Sequence, residues 1–151
     1  MADVHDKETR SKNMAAIKAG NTKPEMIVRR ALHNAGFRYR LHEKTLPGKP
    51  DLVLRKYNAV IFVNGCFWHR HECPQFKWPK TKVGFWTPKL NKNASNDKKA
   101  EHDLKVLGWR VGVVWECALK GPRRLTHDEM TRTIVRWLKS ENQSLSLSGS
   151  T

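Results

Sequence analysis

Apolar residues recur at helical spacing in the segment that follows Thr22. One face of this segment consists of Ile27, Val28, Ala31, Leu32 and Ala35. Thr22 with Glu25 three residues later has the spacing of a capping box, and Pro24 suits the first helical turn. Gly36 then supplies a residue type that commonly ends helices. The pattern predicts a helix from residue 23 to residue 35.

Two later segments carry similar helix signals. Thr87 and Pro88 predict the N-cap and first residue of a long helix that runs to Leu107 and ends at a glycine. Thr126 and Glu129 repeat the capping-box spacing before a last helix. The apolar side of that helix consists of Met130, Ile134, Trp137 and Leu138.

Short runs of β-branched and aromatic residues predict strands between these helices. "FRYRL" alternates as a half-buried strand does, and "WRVGVVW" is typical of a buried one. "DLVL" and "AVIFV" flank the turn residues Lys56, Tyr57 and Asn58, which predicts a hairpin. The order helix, three strands, helix, strand, helix indicates an α/β fold with a small mixed β-sheet flanked by helices.

The polar ends of the chain set the predicted domain boundaries. Residues 1–21 are predicted to form an N-terminal arm or short helix, and residues 22–140 a single domain. Residues 141–151, "ENQSLSLSGST", show no packing pattern and are predicted to be a disordered tail. No apolar run approaches the ~20 residues of a membrane span, and the charged start lacks a secretion signal.

The charge of the chain indicates what kind of partner it binds. Lys and Arg number 29 against 14 Asp and Glu, a formal net charge of +15. A polyanion is the natural partner of so basic a small domain. Six Trp accompany the charge, and aromatic rings beside cations favour nucleic acid over a merely solubilising surface, because bases stack on them. A membrane surface is disfavoured because Lys and Arg are spread over the whole chain and no single amphipathic helix collects them.

The loop "NGCFWHRHEC" concentrates metal-ligand residues directly after a predicted strand. Cys66, His69, His71 and Cys73 could bind one zinc ion by themselves. Alternatively, Cys117 joins three of them, because it follows the strand "WRVGVVW". Zinc prefers four tetrahedral nitrogen and sulfur ligands, and both sets provide them. Spacing predicts one zinc site and leaves the ligand set open.

The aromatic residues of this region suggest a second task. Phe67 and Trp68 lie inside the predicted metal loop, which would hold them rigidly enough to enter a base stack. Trp86 precedes the long predicted helix, and Lys89 and Asn93 follow it on one helix face. Such residues suit stacking, phosphate contact and base-edge contact.

An acidic residue completes the chemistry. Asp51 begins the predicted strand "DLVL", with Glu25 on an earlier helix. A carboxylate at that place can hold Mg²⁺, which orients a phosphate and the attacking water.

In combination these motifs resemble those of a known enzyme family. "KNMAAI", "LPGKPD", "VIFVNGCFWHRHEC", "FW" and "LGWRVGVVWECAL", in this order, resemble the very short patch repair endonucleases over residues 5–138. The resemblance implies a restriction-endonuclease-like α/β core with a structural zinc site. It also implies an enzyme that nicks duplex DNA 5′ of the thymine in a T:G mismatch, the lesion left by deamination of 5-methylcytosine.

The resemblance assigns roles to individual residues. It implies that the structural zinc ligands are Cys66, His71, Cys73 and Cys117. It implies a catalytic role for His69, Asp51 as a Mg²⁺ ligand assisted by the main-chain carbonyl of Val63, and Glu25 as an acid acting on water at the metal. It implies four DNA-binding residues, Met14, Phe67, Trp68 and Trp86. The helix pattern suggests two more, Lys89 and Asn93.

Asn64 departs from the family pattern, in which a histidine stands at this position. An amide can hydrogen-bond a phosphate oxygen but cannot exchange protons near neutral pH. Phe62, Val63 and Asn64 also stand where restriction enzymes carry E-x-K. Asn64 is retained as a candidate active-site residue, and it keeps open an alternative, a zinc-stapled DNA-binding protein with weakened or lost nuclease activity.

The expected partners follow from the family. They are duplex DNA with a T:G mismatch and, beyond it, mismatch-repair factors and a repair polymerase, with the enzyme acting as a monomer. The expected location is the bacterial cytoplasm, in association with the nucleoid and without a membrane.

Overall fold

A five-stranded sheet forms the centre of the computed structural model, which describes residues 22–74 and 76–150. The strands are β1 (Arg40–Leu41), β2 (Leu52–Leu54), β3 (Ala59–Asn64), β4 (Arg110–Trp115) and β5 (Ser144–Leu147), and they lie in this order across the sheet. The first three strands are antiparallel, whereas β3, β4 and β5 run parallel. The predicted small mixed sheet is confirmed.

Helices cover both faces of this sheet. They are α1 (Lys23–Asn34), α2 (Val83–Val106), the short α3 (Glu116–Leu119) and α4 (His127–Leu138). One face of β2, β3 and β4 joins α1, α3 and α4 in the larger core, around Leu32, Ile61 and Ile134. The opposite face contacts Leu104 of α2 in a smaller core. Each central strand is therefore buried on both sides, which explains its nearly continuous apolar sequence.

The register of β3 and β4 determines where the functional loops meet. Asn64, the last residue of β3, is aligned with Trp115, the last residue of β4. Because the two strands are parallel, the loop that starts at Gly65 and the helix that starts at Glu116 leave the same edge of the sheet. Segments some fifty positions apart in sequence thus become neighbours.

The capping signals read from the sequence are confirmed at α1 and α4. Thr22 Oγ1 accepts a hydrogen bond from Glu25 N at 3.3 Å, and Thr126 Oγ1 accepts one from Glu129 N at 3.1 Å. The predicted hairpin between β2 and β3 is also confirmed. It turns through Asn58, whose left-handed φ of 50° is tolerated by asparagine better than by most residues.

Three sequence predictions differ from the structure. The long helix begins at Val83 rather than at Thr87, because Phe85 and Trp86 contribute to an aromatic group with the preceding loop and extend the helix toward it. The strand predicted in "FRYRL" shrinks to the exposed pair Arg40–Leu41. The predicted tail is wrong for residues 144–147.

The strand at residues 144–147 has a simple physical cause. In "SLSL", Leu145 and Leu147 alternate with serines, so one side of a short strand is apolar, and Leu147 enters the larger core. That side needs the open edge of β4, with which the segment pairs. The predicted arm at residues 1–21, including Met14, lies outside the described residues.

Candidate active site and metal centre

Four potential metal ligands converge where β3 and β4 end. The ligand atoms of Cys66, His71, Cys73 and Cys117 all lie within 4.8 Å of one another. His71 Nδ1 is 3.6 Å from Cys66 Sγ and 3.7 Å from Cys117 Sγ. Tetrahedral zinc with ordinary bond lengths requires nitrogen–sulfur separations of about 3.6 Å. The group therefore fits zinc, and of the two sets that spacing left open the structure assembles the one with Cys117.

The surroundings of this Cys/His group support metal binding. Burial lowers the pKa of His71, which keeps its imidazole in the neutral form that binds metals. Burial by itself acts against binding at Cys66, because it raises the pKa of the thiol, and a metal ion must supply the free energy that displaces the proton. The Trp115 ring stacks on the His71 ring at a centroid distance of 3.9 Å and an angle of 7°. Glu116 Oε1 accepts a hydrogen bond from Cys66 N at 3.3 Å and holds the loop to α3.

His69 lies outside this group and has its own partner. Its Nδ1 is 2.6 Å from Asp97 Oδ2 on α2. A carboxylate at Nδ1 fixes the ring and leaves Nε2 free of that contact. His69, Asp97 and Asn64 line one cleft between the end of β3 and α2. Asp97 was missed by the sequence analysis.

A second potential metal-binding group, which includes two carboxylates, contacts β3 through the N–H of Val63. Glu25, His42 and Asp51 place a ligand atom each within 4.8 Å of the others. Val63 N donates to Asp51 Oδ2 at 2.7 Å, and His42 Nε2 is 2.8 Å from Glu25 Oε2. Two carboxylates and an imidazole are suitable donors for a hard or borderline divalent cation. His42 was also missed, since nothing in the sequence sets it apart from a loop histidine.

The carboxyl group of Asp51 is strongly perturbed. Burial and the neighbouring Glu25 raise its pKa to about 7, although the Val63 N–H acts in the opposite direction. Glu25 is only 1% exposed. A cation bound beside Asp51 would offset both the burial and the neighbouring charge that disfavour its ionised form. This arrangement is typical of a functional site rather than of a core.

Consecutive residues at the end of β3 separate the two groups. Val63 contacts the carboxylates, and Asn64 adjoins the cleft with His69 and Asp97. The contact of Val63 is made by its backbone N–H, whereas Asn64 lines the cleft. Two successive residues of one strand thus adjoin the carboxylates and the oriented imidazole. Asn64 is 7% exposed.

The aromatic cluster, defined as Phe67, Trp68 and Trp86, joins the metal loop to the start of α2. Its ring centroids are 5.3–5.6 Å apart in edge-to-face arrangements. Trp68 remains 36% exposed. Lys89 Nζ lies 5.6 Å from the Trp68 ring centroid, and Asn93 Nδ2 donates to the Trp68 carbonyl at 3.0 Å. Asn93 thus supports the loop that carries the cluster.

Comparison with known proteins identifies the family. Residues 2–75 match the family model described as DNA mismatch endonuclease Vsr. The DNA mismatch endonuclease Vsr of Escherichia coli is 46% identical over 144 residues, which cover 95% of this chain and 92% of that protein.

The chain belongs to the Vsr family of DNA mismatch endonucleases. Two further relatives are named as type II nicking enzymes. V.XorIIP of Xanthomonas oryzae is 44% identical over 79% of this chain and 88% of its own length. V.NmeAIP of Neisseria meningitidis is 42% identical over 92% of this chain and 98% of its own length.

Membership in the Vsr family confirms the predicted fold class, a restriction-endonuclease-like α/β core. DNA as the partner is likewise supported by the relatives. Among the described residues, no helix is long and apolar enough to cross a membrane.

Proposed function

We propose that this protein nicks one strand of duplex DNA 5′ of the thymine in a T:G mismatch and so starts very short patch repair. The observation that carries this proposal is that two consecutive residues of β3 adjoin the two predicted catalytic groups. Asn64 shares a cleft with His69, which Asp97 contacts, and the N–H of Val63 donates to the buried carboxyl group of Asp51. Binding DNA requires neither group, whereas phosphodiester hydrolysis needs a proton acceptor and a site for a cation.

The contacts of the site residues support a separate proposed role for each of them. Asp51, with the Val63 carbonyl, would hold Mg²⁺, which supplies positive charge at the scissile phosphate when bound, and Glu25 would act on water at the metal. His69 accepts a proton from the attacking water at Nε2, while Asp97 at Nδ1 stabilises the resulting imidazolium. Asn64 donates a hydrogen bond from its amide to a phosphate oxygen.

Recognition is proposed to reside in the aromatic cluster. Phe67, Trp68 and Trp86 enter the base stack beside the mismatch, with Lys89 and Asn93 beside them and Met14 reaching the other groove. A T:G wobble pair is weaker than a Watson–Crick pair, so opening the stack there costs less free energy. Zinc bound by Cys66, His71, Cys73 and Cys117 would keep the loop in shape.

A monomer acting in the bacterial cytoplasm at the nucleoid would hand its nicked product to a repair polymerase, in concert with mismatch-repair factors. The domain predicted for residues 22–140, extended by β5 to residue 147, would be catalytic, and residues 1–21 would form an arm on the DNA.

The test is a nicking assay with end-labelled duplexes in Mg²⁺. We expect a single nick 5′ of the thymine in T:G duplex and intact paired duplex. His69→Ala and Asp51→Ala should abolish nicking and retain T:G binding, since both leave the aromatic cluster in place. Cleavage of both strands of paired DNA would instead indicate a conventional restriction endonuclease.

Asn64 favours one alternative, a zinc-stapled DNA-binding protein without effective catalysis. Unlike histidine, its amide cannot transfer a proton. Tight T:G binding without any nicking by the wild-type protein would establish that alternative, and Asn64→His would then be expected to restore nicking.

A further inference from the structure

We propose that residues 144–150 brace the zinc site, and that Gly149 is a positioning residue for the Cys117 thiolate. This inference rests on the zinc site proposed above. The segment carries no ligand of its own and was predicted to be disordered. In the structure it reaches two of the four ligands by independent contacts.

The first contact is made to sulfur. Gly149 N donates a hydrogen bond to Cys117 Sγ at 3.2 Å. A Cβ atom at residue 149 would lie 2.6 Å from the Cys117 carbonyl oxygen and 2.7 Å from the Arg123 carbonyl oxygen. Both oxygens belong to the backbone, so neither can rotate away. Only glycine permits this close approach.

The hydrogen bonds of the next residue fix the position of Gly149. Ser150 N donates to the Arg123 carbonyl at 2.8 Å, and Ser150 Oγ donates to the same oxygen at 3.3 Å. On the other side, Leu147 is aligned with Val114 in the sheet and buried in the core. The N–H of Gly149 is therefore directed at sulfur by anchors before and after it.

The second contact passes through an aromatic ring. Trp115 Nε1 donates to Ser146 Oγ at 3.3 Å, and the Trp115 ring stacks on the ligand His71. The same strand that presents Gly149 to one ligand thus orients the ring that covers another.

These contacts should matter for metal retention. An N–H directed at a thiolate stabilises its negative charge, as charge-assisted hydrogen bonds do. Groups that orient metal ligands from outside typically contribute about 10–100-fold to metal affinity or activity. β5 and the residues after it would supply such groups for Cys117 and His71.

Gly149→Ala tests the inference, because the added methyl group must push the N–H away from Cys117. Gly84→Ala is the matched control, since its Cβ would meet nothing within 4 Å. Zinc release from the purified full-length protein into excess chelator is measured at a temperature where all variants are folded. We expect release about tenfold or more faster for Gly149→Ala and an unchanged rate for Gly84→Ala.

A spectroscopic measurement separates positioning from general loosening. In protein reloaded with Co²⁺, loss of the N–H···S bond raises the energy of the sulfur lone pairs. The thiolate-to-cobalt charge-transfer band should then move to longer wavelength in Gly149→Ala. Faster release with an unmoved band would overturn the role of Gly149.

Ser146→Ala provides a second variant in case Gly149→Ala fails to fold. It removes the acceptor of the Trp115 indole, and we expect faster zinc release from it as well. Wild-type release rates in the folded variants would overturn the brace. Wild-type protein that binds no zinc at all would instead refute the zinc site on which the inference rests.

Discussion

A single contact determines the chemistry available to His69. Asp97 Oδ2 lies 2.6 Å from Nδ1 of His69, so Nε2 is the ring nitrogen that this contact leaves available. The same carboxylate can stabilise the positive charge of the protonated ring. Asp97 lies on α2, so the position of this helix matters for catalysis as well as for the fold. The aromatic cluster depends on the same helix.

Asp97→Asn should therefore slow nicking of T:G duplex. The amide oxygen can still accept from Nδ1, but the negative charge that stabilises imidazolium is lost. General-base catalysis contributes about 10²–10⁴-fold, and we expect a loss of roughly that size in the single-turnover rate. Asp103→Asn, on the same helix, is the control. An equal loss in both variants would contradict the role of Asp97.

The raised pKa of Asp51 yields a prediction about stability. The folded protein holds the Asp51 proton up to about pH 7, whereas the unfolded chain releases it at about pH 4. Between these values the folded state binds more protons, so the free energy of unfolding falls as pH rises. In metal-free protein this contribution is fully present below pH 4 and lost above pH 7.

Asp51→Asn removes this titration. We expect the variant to melt at a higher temperature than wild type at pH 8, with the difference largely gone at pH 4. Thermal unfolding in chelator at several pH values measures it. Asp128→Asn, at an exposed side chain, should show no such trend. A pH-independent difference for Asp51→Asn would mean that burial does not govern this carboxyl group.

At the scale of elements, the metal loop and the start of α2 act together. The loop contributes Phe67 and Trp68, α2 contributes Trp86, and Asn93 ties the loop backbone to the helix. Discrimination between mismatched and paired DNA should depend on this cluster. Phosphate contacts by lysines should add affinity that carries little sequence information.

Trp68→Ala should reduce the ratio of T:G binding to paired-duplex binding, with a smaller effect on paired DNA at low salt. Lys98→Ala, an exposed lysine of the cleft, should weaken both duplexes alike and reduce the salt dependence. Binding titrations across salt concentrations for both duplexes give the comparison. Equal weakening of both duplexes by Trp68→Ala would make Trp68 only a packing residue.

Elements whose signals lie within their own sequence were predicted well. Elements that form only by pairing with the rest of the sheet were not. Thr22 and Thr126, for example, predict the starts of their helices because each is an N-cap residue. β5 could not be predicted, because two leucines among serines form a strand only when they pair with the open edge of β4. Asp97 and His42 were missed for the same reason, since only the fold brings them to His69 and Glu25.

At the scale of the whole molecule, the proposed zinc site joins the two halves of the sequence. Three ligands follow β3 and the fourth follows β4, so a bound ion would hold the sheet edge together. A chain of net charge +15 would then bind DNA with this edge of its sheet held by the metal.

Cys117→Ser should consequently lower the stability of the whole domain. Loss of a structural metal belongs to the most damaging class of single substitutions, about 3–5 kcal/mol, or roughly 10 °C in melting temperature at this size. Elemental analysis should find one zinc per wild-type chain and less in the variant. Wild-type melting in zinc-free variant protein would show that the metal does not stabilise the fold.

His71 and Cys117 are 46 positions apart in the sequence. This separation determines the delay between their synthesis on the ribosome. At ~5–20 residues per second, the ribosome takes about 2–10 s to add the intervening residues. Throughout that interval the nascent chain contains Cys66 and Cys73 but not Cys117, the fourth proposed zinc ligand. The proposed four-ligand site can therefore assemble only late in synthesis, after β4 and Cys117 have been made.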